Sequence, residues 1–242
     1  MKFAQASYGW MFFLYKNIFF GPGKLCCSSN FCCVKRNPAI NSDTCYCNVN
    51  AILHQLKIQQ KDIIYASFKN RLYEVPFYIA VDHEYKAIVV AIRGTLSFQD
   101  ALTDLTIESQ AVDIDFDGDA RAHKGILQAA YDIQKKLTDL HLLDDAFVKY
   151  PNFRLVITGH SLGAGTAALL SVLLKAQYNN LVCFSFSPPG WLVSSALSQY
   201  MQEFVLSVVI GKDIIPRLGL YSMNDLKNRL RYLIANSFQP KV

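Results

Sequence analysis

From about residue 50 onward, short continuous apolar runs alternate with segments whose apolar residues recur every three or four positions. Residues 72–81 and 87–92 predict two strands joined by a turn at 82–85. Residues 124–143 predict an amphipathic helix, with Leu127, Tyr131, Gln134 and Leu137 three or four apart. Then follow a strand at 153–158, a helix at 164–178 and a strand at 181–187 stopped by Pro188 and Pro189. A short helix at 192–201 and a strand at 204–210 complete the pattern. Strands that are apolar throughout and separated by helices predict a mostly parallel sheet with helices on both faces, so the expected fold class is α/β. The first 50 residues read differently, being rich in cysteine and turn residues. A boundary near residue 50 divides the chain into an N-terminal aromatic segment, 1–50, and an α/β domain, 51–242.

Composition narrows the class. Of 242 residues, 52% are hydrophobic and 18% charged, the reverse of the balance that keeps a chain disordered. The net charge of +5 is too small to argue for nucleic acid. It is unevenly spread: residues 1–50 hold five bases against Asp43, and residues 97–119 hold seven acids and no base. Bases return at Lys227, Arg229, Arg231 and Lys241.

Six of the seven cysteines lie between Cys26 and Cys47, and Cys183 sits in an apolar run as an ordinary buried residue. Adjacent pairs and one C-x-C match zinc spacing poorly. Disulfides need an oxidising compartment, and no cleavable signal peptide is evident. S-acylation beside aromatics and lysines, or a reduced loop, are the remaining readings. The apolar stretch from Trp10 to Phe20 is interrupted by Lys16 and Asn17 and is too short to span a bilayer. It either lies in a membrane interface or packs on the domain.

The sharpest chemical signal is Gly159-His160-Ser161-Leu162-Gly163. It follows the strand Arg154-Leu155-Val156-Ile157-Thr158 and opens a helix of small residues, as a nucleophile elbow does. Gly159 and Gly163 remove bulk from the tight turn, and Ser161 is the expected nucleophile. Acyl transfer also needs preset amide donors for the oxyanion. The amide of Leu162 is one candidate. The other is the amide of Thr95, in Arg93-Gly94-Thr95 after the strand at 87–92. Asp213, in Gly211-Lys212-Asp213-Ile214-Ile215-Pro216, follows a strand and is the candidate acid that would orient a histidine. No histidine follows Asp213; the five present are His54, His83, His123, His141 and His160. His160 lies inside the elbow and cannot reach over its neighbouring serine, and His123 is expected to have a structural hydrogen-bonding role. As written, the triad has two members.

These residues carry a resemblance. Arg93-Gly94-Thr95, His123-Lys124-Gly125, the elbow and Asp213-Ile214-Ile215-Pro216 resemble the class 3 lipases of the α/β-hydrolase fold. Residues 1–10, Ser185-Phe186-Ser187-Pro188-Pro189 and 212–217 are similar to the sn-1-specific diacylglycerol lipases. The resemblance implies hydrolysis of the sn-1 ester of diacylglycerol to a 2-monoacylglycerol (2-arachidonoylglycerol, an endocannabinoid, in animals) and a fatty acid. It also implies the cytosolic face of the plasma membrane, with transmembrane helices before the segment and a histidine-bearing segment after it. These 242 residues would then be a fragment truncated at both ends. The rival readings are an inactive fragment that binds lipid or a partner, and a class 3 lipase acting on triacylglycerol or phospholipid. Oligomeric state is left open.

Class 3 lipases carry a lid after the oxyanion strand, here 96–105. Phe98, Leu102 and Leu105 are spaced four and three apart and form its candidate apolar face. The chemistry needs no metal, and the family allows for calcium. Asp113, Asp115, Asp117 and Asp119 alternate with Gly118 at position 6 of an EF-hand count, but position 12 is Lys124, so a solvated acidic loop is expected.

Overall fold

The computed structural model describes residues 1–18, 38–71, 74–94, 108–217 and 219–236. In chain order the helices are α1 (Lys2–Ala6), α2 (Gly9–Lys16), α3 (Cys47–Leu56), α4 (Lys124–Asp139), α5 (Leu142–Lys149), α6 (Leu162–Leu174), α7 (Ser195–Met201) and α8 (Leu220–Ala235). The strands are β1 (Ile40–Asn41), β2 (Ile63–Ser67), β3 (Phe77–Asp82), β4 (Ala87–Ile92), β5 (Ser109–Ala111), β6 (Arg121–His123), β7 (Arg154–His160), β8 (Val182–Phe186) and β9 (Val205–Val208). Seven strands form one sheet in the order β1-β2-β3-β4-β7-β8-β9, while β5 and β6 pair separately. The hairpin β3–β4 and the β2–β3 pair are antiparallel; β4, β7, β8 and β9 run parallel. The expected mostly parallel α/β sheet is therefore present.

Alternation within the strands sets the layers. On β4, Ile88, Val90 and Ile92 face a large core shared with Leu155 and Ile157 of β7, Leu127 and Ile133 of α4, and Leu169 and Leu170 of α6. Fully burying each such side chain contributes about 1.5–3 kcal/mol. Ala80 and Ala91 face the other way, where small side chains admit Ala6 of α1 and Ile52 of α3. The Tyr78 hydroxyl crosses this layer and donates to the Phe3 carbonyl at 2.8 Å. A groove on the same face is lined by Phe3, Val156, Phe184, Phe186 and Val208.

Several boundaries differ from expectation. The helix expected at 124–143 breaks at His141, whose φ of 49° starts α5 in a new direction. Apolar spacing continues through Leu140, Leu142 and Leu143, so the pattern alone hides the break. Asp144 and Asp145 occupy the first turn of α5, where acids complement the helix dipole. The strand expected at 72–81 is β3, which starts only at Phe77, after Pro76. The helix expected at 164–178 starts two residues earlier, directly after Ser161, and ends at Leu174. In the N-terminal segment, α3 runs through residue 50. Phe13 of α2 is buried against Ala51 of α3, while Trp10, Met11, Tyr15 and Ile18 stay exposed, Tyr15 to 75%. Among the described residues no helix is long and apolar enough to cross a membrane.

Candidate active site

The elbow sits between the end of β7 and the start of α6. Ser161 has φ 57° and ψ −127°, a conformation that L residues rarely adopt and that persists only where neighbours enforce it. Three backbone bonds do so. The Ser161 N–H donates to the Phe186 carbonyl of β8 at 2.9 Å, and the Ser161 carbonyl accepts from the amides of Ala164 and Gly165 at 2.9 and 3.2 Å. The side chain is held near the surface without lying on it, at 8% exposure. Leu162 is the first residue of α6. Its amide has no partner within the helix by geometry, as an oxyanion donor requires.

Two glycines make the turn compact. A Cβ on Gly159 would run into the carbonyl of Gly163 and lie 2.8 Å from the Ala164 nitrogen. A Cβ on Gly163 would lie 2.5 Å from the Ile92 carbonyl oxygen and 2.6 Å from the Arg93 carbonyl carbon. The helix N-terminus is thereby pressed against the end of β4. Gly94 is also in contact with the elbow: its Cβ position is 3.3 Å from the Ser161 Cβ. Thr95, the second candidate oxyanion donor, lies outside the described residues, as do Phe98, Leu102 and Leu105 of the candidate lid.

Asp213 follows β9 in a turn closed by its own N–H donating to the Ile210 carbonyl at 3.2 Å. The hydroxyl of Ser187 donates to its carboxylate and holds the acid below the usual carboxylate range; burial opposes this, and the Ile215 N–H, His160 and Arg217 add to the lowering. The Ile215 N–H lies 3.1 Å from Oδ1. Ser187 is itself the residue after Phe186, whose carbonyl binds the Ser161 amide. Ser161 and Asp213 are therefore both tied to the end of β8. Because Asp213 titrates lower folded than unfolded, the native state binds fewer protons. Its stabilisation is complete above the ordinary carboxylate range and is lost as pH falls through the folded value. Ser187→Ala should reduce this acid sensitivity, read as a smaller difference between chemical-denaturation midpoints at pH 7 and pH 4.

The five histidines fall into distinct places. His83, in the β3–β4 turn, bonds Asp62 at 3.0 Å. His54 packs at a tilt against the Phe13 ring, and His141 starts α5. His123 caps α4, its Nδ1 accepting from the Ile126 amide at 3.4 Å, as its structural reading anticipates. His160 packs beside Tyr8, its Nδ1 2.8 Å from the Tyr8 hydroxyl. Burial pulls the His160 pKa down, and the charge of Asp213 partly opposes this. The sequence reading passes over Tyr8 and Ser187. Tyr8 lies 152 positions from His160, so no local spacing signals the contact.

Among the described residues no three His, Cys, Asp or Glu side chains form a group that could hold a metal ion. Asp113, Asp115, Asp117 and Asp119 are exposed, and Ile114 and Phe116 between them are half-buried, with the Phe116 ring against Tyr200. That alternation follows the two faces of a surface loop. Cys183 is buried, Cys45 exposed and Cys47 half-buried; Cys26, Cys27, Cys32 and Cys33 lie outside the described residues.

A mainly parallel sheet with a strained serine between strand and helix defines an α/β-hydrolase. The chain belongs to the class 3 lipases, whose family description, "Lipase (class 3)", matches residues 89–222. Over its whole length it is 42% identical to diacylglycerol lipase-beta of Mus musculus and spans 36% of that protein. It is 41% identical over its whole length to diacylglycerol lipase-alpha of Homo sapiens, of which it spans 25%. The chain thus covers about a quarter to a third of the curated relatives it matches. Among solved structures it is similar to the Rhizomucor miehei triacylglyceride lipase, with TM-score 0.57 and 25% identity over 66% of this chain and 62% of that one.

Proposed function

We propose that this chain carries the catalytic serine of a diacylglycerol lipase that cleaves the sn-1 ester. The observation that carries the reading is the Ser161 elbow, held at φ 57° between β7 and α6, in a chain 42% identical throughout to a diacylglycerol lipase. Ser161 Oγ attacks the ester carbonyl, the amides of Leu162 and Thr95 receive the oxyanion, and the acyl group passes to the serine as the 2-monoacylglycerol leaves. Water then releases the fatty acid. Asp213 orients the histidine that takes and returns the proton. In the order serine, acid, histidine that base follows the acid, and none of the five histidines does. Residues 51–242 carry this chemistry, and residues 1–50 brace it. The substrate is presented in a membrane at the cytosolic face, met by the exposed Trp10, Met11, Tyr15 and Ile18.

Vesicles containing diacylglycerol with different labelled acyl chains at sn-1 and sn-2 test the reading. Release of the sn-1 acid, with 2-monoacylglycerol retained, is expected. Release of the sn-2 acid, or equal turnover of triacylglycerol or phospholipid, would overturn the assignment of substrate. The assay is run on the 242-residue chain and on any longer product of the same gene. Activity confined to the longer product places the base outside these residues.

A further inference from the structure

Tyr8 comes from the other end of the chain, yet its side chain reaches the elbow. It lies between α1 and α2 as the residue that starts α2. The Ser7 hydroxyl closes the preceding turn on the Ala4 carbonyl at 2.7 Å. Gly9, with φ +65°, packs so tightly on Asn48 that a Cβ there would displace it. Asn48 is fixed in turn by Asp43, whose Oδ1 accepts from its side-chain amide at 3.2 Å. The Tyr8 ring is therefore set by its own segment before it meets the site. Its edge meets the His160 ring at a centroid distance of 5.8 Å and an angle of 69°.

The hydroxyl has two neighbours there. It lies 2.8 Å from His160 Nδ1, and the Gly94 backbone packs against the same oxygen, with a Cβ position only 2.6 Å from it. Burial pushes the Tyr8 phenol up to about 12, so the group keeps its proton at neutral pH. Its O–H then donates to Nδ1. His160 is left with its proton on Nε2. Gly94 leaves no room for a different arrangement: a Cβ there would lie 2.6 Å from the Tyr8 oxygen and would run into the His160 carbonyl.

His160 precedes Ser161, and Gly94 precedes Thr95. One hydroxyl thus bonds the residue before the candidate nucleophile and packs on the residue before the candidate oxyanion donor. We infer that Tyr8 is a positioning residue, which uses this bridge to hold the serine in register with the oxyanion strand. The inference rests on the reading of Ser161 as nucleophile. Tyr8 touches neither reacting atom. It acts on the distance between nucleophile and donors, to which acyl transfer is steeply sensitive.

Tyr8→Phe keeps the ring and removes the bridge. The variant should fold with an unchanged near-ultraviolet circular dichroism spectrum. The rate of serine acylation by a fluorophosphonate, and kcat on a soluble ester, should each fall about tenfold with KM unchanged. Nitrogen-15 shifts of the His160 ring should change from one Nε2–H tautomer to a mixture. This readout is taken on the folded chain whether or not it turns over. An unchanged tautomer in Tyr8→Phe would overturn the inference, as would wild-type acylation. If Tyr8→Phe does not fold, His160→Phe removes the acceptor from the other side and should make the Tyr8 hydroxyl proton exchange faster with solvent; wild-type exchange of that proton would overturn the bridge. Ser161→Ala is run in parallel. Full acylation of that variant would sink the nucleophile reading, whereas loss in Ser161→Ala with wild-type behaviour in Tyr8→Phe sinks the Tyr8 bridge alone.

Discussion

Alanine at position 161 should leave the protein folded and remove serine acylation altogether. Where a complete serine, histidine and acid set operates, losing the nucleophile costs a factor on the order of 10⁶ in kcat. What survives is the contribution of the oxyanion donors and of binding, roughly 10³–10⁴ over water. The fold should not notice the change. Ser161 holds its unusual φ of 57° through backbone bonds to Phe186, Ala164 and Gly165, which alanine keeps. Alanine also carries the same Cβ as serine, so backbone strain is equal in the two. Intact mass after fluorophosphonate treatment of the product that turns over diacylglycerol reads the result: one added label on the parent and none on the variant, with superimposable melting curves. A label retained by the folded variant would show that another residue is the nucleophile.

Gly163→Ala is the second large effect, and its cause is different. Gly163 is an ordinary helical residue of α6, so alanine suits its backbone. The obstacle is space: the new methyl would meet the Ile92 oxygen at 2.5 Å and the Arg93 carbonyl carbon and oxygen at 2.6 and 2.7 Å. All three are backbone atoms at the end of β4, which cannot swing aside as a side chain could. Overpacking of this kind costs about 3 kcal/mol, which in a protein of this size lowers the melting temperature by roughly 10 °C. Acylation should be lost as well, because the strand that gives way leads into the oxyanion residues. Gly211→Ala is the control. Gly211 has φ +56° and nothing within 4 Å of its Cβ position, so only backbone strain of about 1 kcal/mol is at stake there. A Gly163→Ala protein that melts and labels like the parent would show that β4 and α6 can separate without harm.

What could be read from the sequence follows from how local each feature is. The strands at 87–92 and 154–160 are buried on both faces, so their unbroken apolar runs marked them plainly. The elbow was legible because its glycines, its serine and the small helical residues after it are contiguous. The break between α4 and α5 was not, because His141 takes a positive φ with neither glycine nor proline to announce it. Helix α8 escaped notice because its tail reads first as a run of bases. Its Leu226, Leu230 and Leu233 recur at helical spacing and remain exposed. The Tyr8 bridge had no signature at all, since it depends on a chain reversal that brings residue 8 onto residue 160.

The order in which strands meet in the sheet bears on how the molecule assembles itself. The hairpin β3–β4 joins Asp82 to Ala87 across a short turn. By contrast, β7 reaches β4 only after the chain between Ala87 and Arg154 has closed into a loop, a separation of 154 − 87 = 67 positions. Entropy charges that closure before any parallel pairing can repay it. The hairpin can therefore form early and serve as a template, while the strand that ends in Ser161 docks late. Reactivity at the serine should be the last property a refolding chain regains, after its helices and its hairpin are already in place.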